Sequence, residues 1–300
     1  MRLIESKVEY IPQDEGLEGI YRQIELAGRT AYHSQDKITS DSAKDFTERM
    51  IKSNHGAALE HGTVYLNIDS DIKHRYEYSD PIDYIGKCKY TDNSYSKCTP
   101  TYHKTWGVKM YDKTIYVTTN FRVLQENGWL DDLQYICSPT KFHEKRYTMR
   151  FTCSRAIAQE LTRHRVFSFL MESQRYINYS KERHGGEITF IIPSWAKSYD
   201  NVSAFEAFQV ACQDAEYDYL KLLNLGMQPQ QARDVLPNAT KTELVMTGFA
   251  SDWKRLLDLR LFESTGKVHP DMKLLMEKLW TEAVNNDIWN GFNYCTNKTE

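Results

Sequence analysis

Segments with helical hydrophobic spacing and segments with two-residue alternation follow one another along the 300 residues, with no repeat, low-complexity tract or Pro/Gly-rich linker between them. That interleaving is the strongest constraint on the fold. The chain is long enough to bury a sizeable core, and the mixture of periods makes one α+β domain over 1–300 the economical reading. Leu17, Ile20, Tyr21 and Ile24 predict a first helix, and a second runs from Asp41 with Phe46, Met50 and Ile51 on one face until His55-Gly56 stops it. Val64, Leu66 and Ile68 then alternate with Tyr65, Asn67 and Asp69, a half-buried strand with Glu60 and His61 at its start.

Further along, residues 148–153 read as a strand, and Ser154 as the N-cap of a helix through Ile157 and Leu161 into Arg163, His164 and Arg165. The clearest helix opens on a Ser203/Glu206 capping box, buries Phe205, Phe208, Cys212, Ala215, Tyr219, Leu222 and Leu223, and closes at Gly226. Pro229 suits the first turn of a short helix holding Gln231, Arg233 and Val235, which Pro237 ends. LVMTGF is strand-like. Ser251 is placed as the cap of a helix through Trp253, Leu256, Leu257 and Arg260, and Pro270 opens a last one carrying Met272, Leu275, Met276, Leu279 and Trp280. Between about 73 and 147 the pattern is irregular and rich in Tyr, Lys, Asp and Ser, relieved by TIYVTT and FRVLQENG. It reads as an insertion, an elaboration and not a second core.

A net charge of −3 excludes a global pull toward nucleic acid or an anionic membrane, so any anion site must be local. No run of about 18 apolar residues is present, and MRLIESKVEYIPQDEG lacks the apolar core of a signal peptide, so a cytoplasmic protein is expected. Cys88, Cys98, Cys137, Cys153, Cys212 and Cys295 form no C-x-x-C pair; they read as ordinary thiols, and no metal site is expected.

One stretch stands apart: RHRVFSFLMESQRY, residues 163–176, where three consecutive basic side chains precede Ser168, Glu172, Ser173, Gln174, Arg175 and Tyr176. Basic groups at a helix C-terminus are favoured by the helix dipole, and guanidinium forks match phosphate oxygens. Charge alone leaves a solvated basic helix end as the commoner outcome. Arg-His-Arg, seven residues, then Ser, with Arg-Tyr following, resembles the signature of the flavin-dependent thymidylate synthases, the ThyX family. Three further blocks fall in that family's order: LEH ending in His61, QARDVLP with Arg233, and DWKRLLDLR ending in Arg260.

The resemblance implies the ThyX-type fold, mixed helices around a mainly antiparallel sheet, assembled as a homotetramer with its ligands between subunits. It implies reductive methylation of dUMP to dTMP, with methylenetetrahydrofolate as one-carbon donor, FAD as cofactor and NADPH as its reductant. Arg163, His164 and Arg165 would hold FAD, with His61 near the flavin and folate. Glu160, Arg163, Met171, Glu172, Ser173, Gln174, Arg175, Arg233 and Arg260 match nucleotide-binding positions. Arg175 and Arg233 suit the 5′-phosphate, and Arg260 the uracil edge, where a guanidinium stabilises developing negative charge. Ser173 has no local general base and is assigned to binding, and no cysteine is nominated as a nucleophile. Leu170 and Met171 stand where members commonly carry polar side chains that touch flavin or nucleotide, so Met171 is matched to the cofactor as well as to dUMP, with Glu172 as a partial substitute. Phe249, Ala250 and Ser251 fall where some members place an Asn-x-Arg-type flavin contact, and Arg255 where Asn is common. Two other readings remain open at this point: a nucleotide- or RNA-binding protein using the basic cluster and the tyrosines, and an inactive relative retaining the ligand site.

Overall fold

The computed structural model describes residues 1–69, 89–105, 108–181 and 186–288. Part of the 73–147 segment, as well as Cys88 and Cys295, lies outside them. Strands β1 (Arg2–Ile4), β2 (Lys7–Ile11), β3 (Thr63–Asp69), β4 (Lys97–Thr105), β5 (Val108–Asn120), β6 (Arg146–Ser154), β7 (Ser168–Met171), β8 (Thr189–Ile191) and β9 (Lys241–Phe249) form three sheets. The central sheet is antiparallel, in the order β2-β6-β9-β7. A second antiparallel sheet runs β3-β5-β4, and β1 pairs with β8 in parallel. With the flanking helices this is a mixed α+β domain.

Apolar periodicity decides where the helices dock. Met272, Leu275, Met276 and Leu279 of helix Pro270–Asn285 and Trp253, Leu256 and Leu257 of helix Ala250–Arg260 are buried against Met149, Phe151, Leu244 and Met246 of the central sheet. Burying a side chain of that size stabilises by roughly 1.5–3 kcal/mol relative to leaving it in water, so this cluster anchors the domain. A second cluster joins Ile20 and Ile24 of helix Gly16–Ala31 and Phe46 of helix Ser42–Lys52 to Val64, Leu66, Ile115 and Val117 of the second sheet. The segment expected to be an irregular elaboration therefore supplies part of a core: Tyr90, Ile115, Val117, Phe121 and Leu124 are all buried in it.

Helix starts differ from the sequence reading by a residue or two. The Ser203/Glu206 box does not form, because helix Val202–Asn224 begins earlier, with Asn201 as its cap. Ser251 lies inside helix Ala250–Arg260, whose N-cap is Phe249. His55-Gly56 does not merely stop a helix; His55 caps a further turn, Gly56–Leu59. Gly226 ends the long helix as expected, in a left-handed conformation (φ 89°) that a glycine adopts without steric cost. Cys98, Cys137, Cys153 and Cys212 are free thiols, and no metal-ligating cluster occurs among the described residues. No helix among them is long and apolar enough to cross a membrane.

Candidate active site

The basic triplet sits on a turn, not on the helix end that its spacing suggested. Helix Arg155–Leu161 opens on Ser154, whose hydroxyl accepts the Ile157 N–H at 3.4 Å, and it stops at Leu161. The chain then folds back through His164 N–H to Leu161 O (3.0 Å) and Phe167 N–H to His164 O (3.2 Å) before entering β7. Leu161 and Phe167 are buried at either end of this turn. A Cβ at Gly248 would stand 2.3 Å from the Phe167 ring, so only glycine there lets the ring seat on β9. Anchored at both ends, the turn leaves Arg163 and Arg165 exposed and His164 half-buried.

His164 meets the end of helix Ala250–Arg260. Arg260 Nε donates to His164 Nε2 at 3.1 Å, and Glu160 lies 3.8 Å from Arg260 Nη1. Because a guanidinium can only donate, Nε2 must be the lone-pair nitrogen and the ring proton sits on Nδ1. Burial, then the charges of Arg260 and Arg255, hold the His164 pKa down at about 4. The imidazole is thus neutral near pH 7, and the Arg260 side chain stays partly exposed beside Glu160. Glu160, His164 and Arg260 come together from positions 160 to 260 of the chain. Arg255 is exposed on the same helix.

The segment after β7 divides between core and surface. Glu172 is buried and accepts from Lys241 Nζ (2.8 Å), the Glu243 N–H (3.2 Å) and the Tyr179 hydroxyl (3.3 Å). Glu172 is thus held by partners within the chain. Met171 packs half-buried against the core, and Gln174 is buried with its Nε2 unpartnered. Ser173 N–H donates to Ala31 O at 3.0 Å, which ties this segment to helix Gly16–Ala31. Arg175 and Tyr176 project outward, with the guanidinium 5.5 Å from the Tyr176 ring. Beside them stand two residues that the sequence reading missed. Tyr32 lies 5.9 Å from Tyr176, and its hydroxyl is 3.2 Å from His55 Nδ1, the two rings being stacked.

His55 rather than His61 is the histidine of its block that reaches the surface. His61 is fully buried; its Nδ1 is 2.8 Å from the Thr247 hydroxyl, which is 2.8 Å from that of Thr148, and its Nε2 has no partner. Burial, and secondarily Arg146, push its pKa to about 3, so it is a neutral core group and cannot stack on a ligand outside the chain. Only the direction of the chain just before β3 could have signalled this. Phe249 and Ala250 are likewise buried, so neither offers a side chain, whereas Ser251 donates its N–H (3.2 Å) and its hydroxyl to the Glu144 carboxylate. Arg233 is half-buried in the turn Arg233–Val235. Among the described residues no bond joins Arg163, Arg165 or Arg233 to the Arg260 group. A cleft of about 240 Å³ lined by Tyr10, Tyr65, Lys145, Arg146 and Tyr147 contains none of the candidate residues.

Residues 126–286, just over half of the chain, match the family described as thymidylate synthase complementing protein. This chain belongs to that family. Flavin-dependent thymidylate synthases are its relatives: that of Pyrococcus furiosus is 33% identical over 111 residues, 37% of this chain and 44% of that one. That of Corynebacterium efficiens is 34% identical over 151 residues, 43% of this chain and 55% of that one. The chain thus spans about half the length of the curated relatives it matches. A solved UMP/dUMP methylase, PolB from Streptomyces cacaoi, aligns over 97% of this chain and 96% of its own, at 15% identity and a TM-score of 0.46.

Proposed function

We propose that this member of the flavin-dependent thymidylate synthase family methylates dUMP to dTMP reductively, with methylenetetrahydrofolate as one-carbon donor and FAD reduced by NADPH. The observation that carries the reading is the Arg260–His164 hydrogen bond, which joins the two motif blocks into one group of side chains. When bound, the flavin supplies the hydride that completes the methyl group.

Every other part falls to the chain's own residues. The fit for an anionic, planar cofactor rests on two exposed guanidinia, Arg163 and Arg165, flanking an imidazole kept neutral by its surroundings. Fixed positive charge beside an electron-rich ring favours its reduced, anionic state. Arg260, steadied by His164 and Glu160, points its free nitrogens at the uracil edge; the negative charge it stabilises there makes C5 a better nucleophile. Arg175 and Arg233 take the 5′-phosphate as bidentate donors. The imidazole role falls to exposed His55, backed by Tyr32, in place of buried His61. Because these groups stand on open faces of one chain, the complete site forms between copies, as in a homotetramer.

The test is product formation from labelled methylenetetrahydrofolate, dUMP and NADPH. Label in dTMP, dependent on all three, supports the reading. Bound flavin without labelled dTMP would identify an inactive relative, and a colourless protein that retains polynucleotide would point to nucleic-acid binding instead.

A further inference from the structure

The segment that carries Ser173, Arg175 and Tyr176 is tied at both ends to one buried carboxylate. Glu172 follows the last residue of β7, and its N–H donates to Glu243 O at 2.8 Å, which carries the β7–β9 pairing one residue past Met171. Its side chain is 3% exposed and accepts the Tyr179 hydroxyl at 3.3 Å. Tyr179 stands at the other end of the segment, buried in a third apolar cluster with Ile177 and Tyr219. Between these ends Ser173 N–H donates to Ala31 O at 3.0 Å, and Ser173 O accepts the Tyr176 and Ile177 N–H groups, both at 3.2 Å. The outcome is a closed loop whose inner residues are fixed and whose Arg175 and Tyr176 are exposed.

A carboxylate buried this deeply is unfavourable unless a cation accompanies it, and β9 supplies one. Lys241 Nζ stands 2.8 Å from Glu172 Oε2 and 2.9 Å from Glu243 Oε1, with its side chain 14% exposed. Lys241 and Glu243 are two residues apart on one strand and so share a face of it, which brings their head groups side by side. Glu243 reaches on to Gln35 Nε2 at 3.4 Å, in the turn beyond helix Gly16–Ala31. One ammonium thus links β9 to the end of β7 and, through Glu243, to the chain that follows the first helix. For stability alone an apolar pair of the same volume would serve as well, so the ion pair points to a need for exact placement. Lys241 lies between the QARDVLP and DWKRLLDLR blocks and belongs to neither.

We infer that Lys241 is a positioning residue: by pairing with Glu172 it holds the Glu172–Tyr179 loop in the conformation that presents Ser173 and Arg175 to an anionic ligand. Glu172 then acts through its neighbours and touches no ligand itself. That the anion is the dUMP phosphate rests on the function proposed above, whereas the anchoring of the loop does not. A loop fixed before binding loses less conformational freedom when the ligand arrives, so the anchor contributes to affinity and not to the chemical step.

The test compares wild type, Lys241→Met and the paired Lys241→Met/Glu172→Met variant, all in the full chain. Amide hydrogen exchange reads the loop directly: in both variants the Ser173 and Ile177 amides should exchange about tenfold faster, with those of β6 unchanged. Titration should show dUMP bound about tenfold more weakly, and turnover should show KM raised about tenfold with kcat within about twofold of wild type. The paired variant separates positioning from folding, because two methionines replace the ion pair without leaving a buried charge alone and should keep the melting temperature near that of wild type. A paired variant that exchanges like wild type and binds dUMP as tightly makes Lys241 and Glu172 a packing element and overturns the inference. So does a paired variant that fails to fold. Wild-type protein that binds no dUMP refutes the proposed function instead, and the exchange comparison still decides the anchor.

Discussion

His61 and His164 have the same side chain, each with one ring nitrogen tied, yet they do opposite work. His61 is sealed between sheets, pushed to about 3 chiefly by burial, and joined only to threonine hydroxyls. His164 is half-buried at the rim of a turn, held at about 4 by burial and by two arginines, and joined to one of them. The first is a packing element whose protonation would break the core. The second is a neutral acceptor that fixes one nitrogen of a partly exposed guanidinium. Perturbation of an ionisable group therefore marks function only when charged partners and access to a ligand accompany burial.

The largest effect expected from this contrast is Arg260→Ala, which should lower dTMP formation by about 100- to 1,000-fold, the usual consequence of removing a transition-state donor. Melting temperature and bound flavin should change little; wild-type turnover would refute the role. Acid separates the two histidines next. Both pKa values lie below the ordinary 6.5, so between pH 6.5 and 4 the unfolded chain binds protons that the native chain refuses. Stability is full above about pH 6.5, declines as pH falls, and levels off below the folded values. The fully buried His61 dominates the loss, on the order of a few kcal/mol. Urea unfolding across that range in wild type and His61→Gln would show it, and equal slopes in both would contradict the assignment.

Smaller effects sharpen the same contrast. Thr247→Val strips His61 and Thr148 of a shared partner and should cost about 1–3 kcal/mol of stability with flavin content unchanged. Loss of flavin at constant stability would place His61 in the ligand site after all. Arg175→Ala removes an exposed side chain and should leave unfolding unaltered while weakening dUMP binding about tenfold, measured by titration.

What the sequence disclosed follows the same physics. Helices Gly16–Ala31 and Pro270–Asn285 and strand β9 were legible because each buries an apolar stripe of the right period. The second sheet was not: β4 is an edge strand with a register shift at Pro100, and its Lys- and Thr-rich residues need not alternate cleanly. In the site, Arg163 to Arg165 and Arg260 were recognisable as motif residues, but not their union, since a bond between residues 164 and 260 is set by Gly248 and Phe167 packing. His55 and His61 are six residues apart in one block, and only the point at which β3 enters the core decides which is exposed.

The most direct test is the absorbance spectrum of the purified protein, recorded before and after NADPH and dUMP are added. A flavin spectrum that bleaches with reductant, then returns as methylenetetrahydrofolate is supplied and dTMP forms, is the result expected if the Arg163–Arg165 turn and Arg260 serve one reaction. A protein without flavin absorbance after incubation with FAD would contradict it.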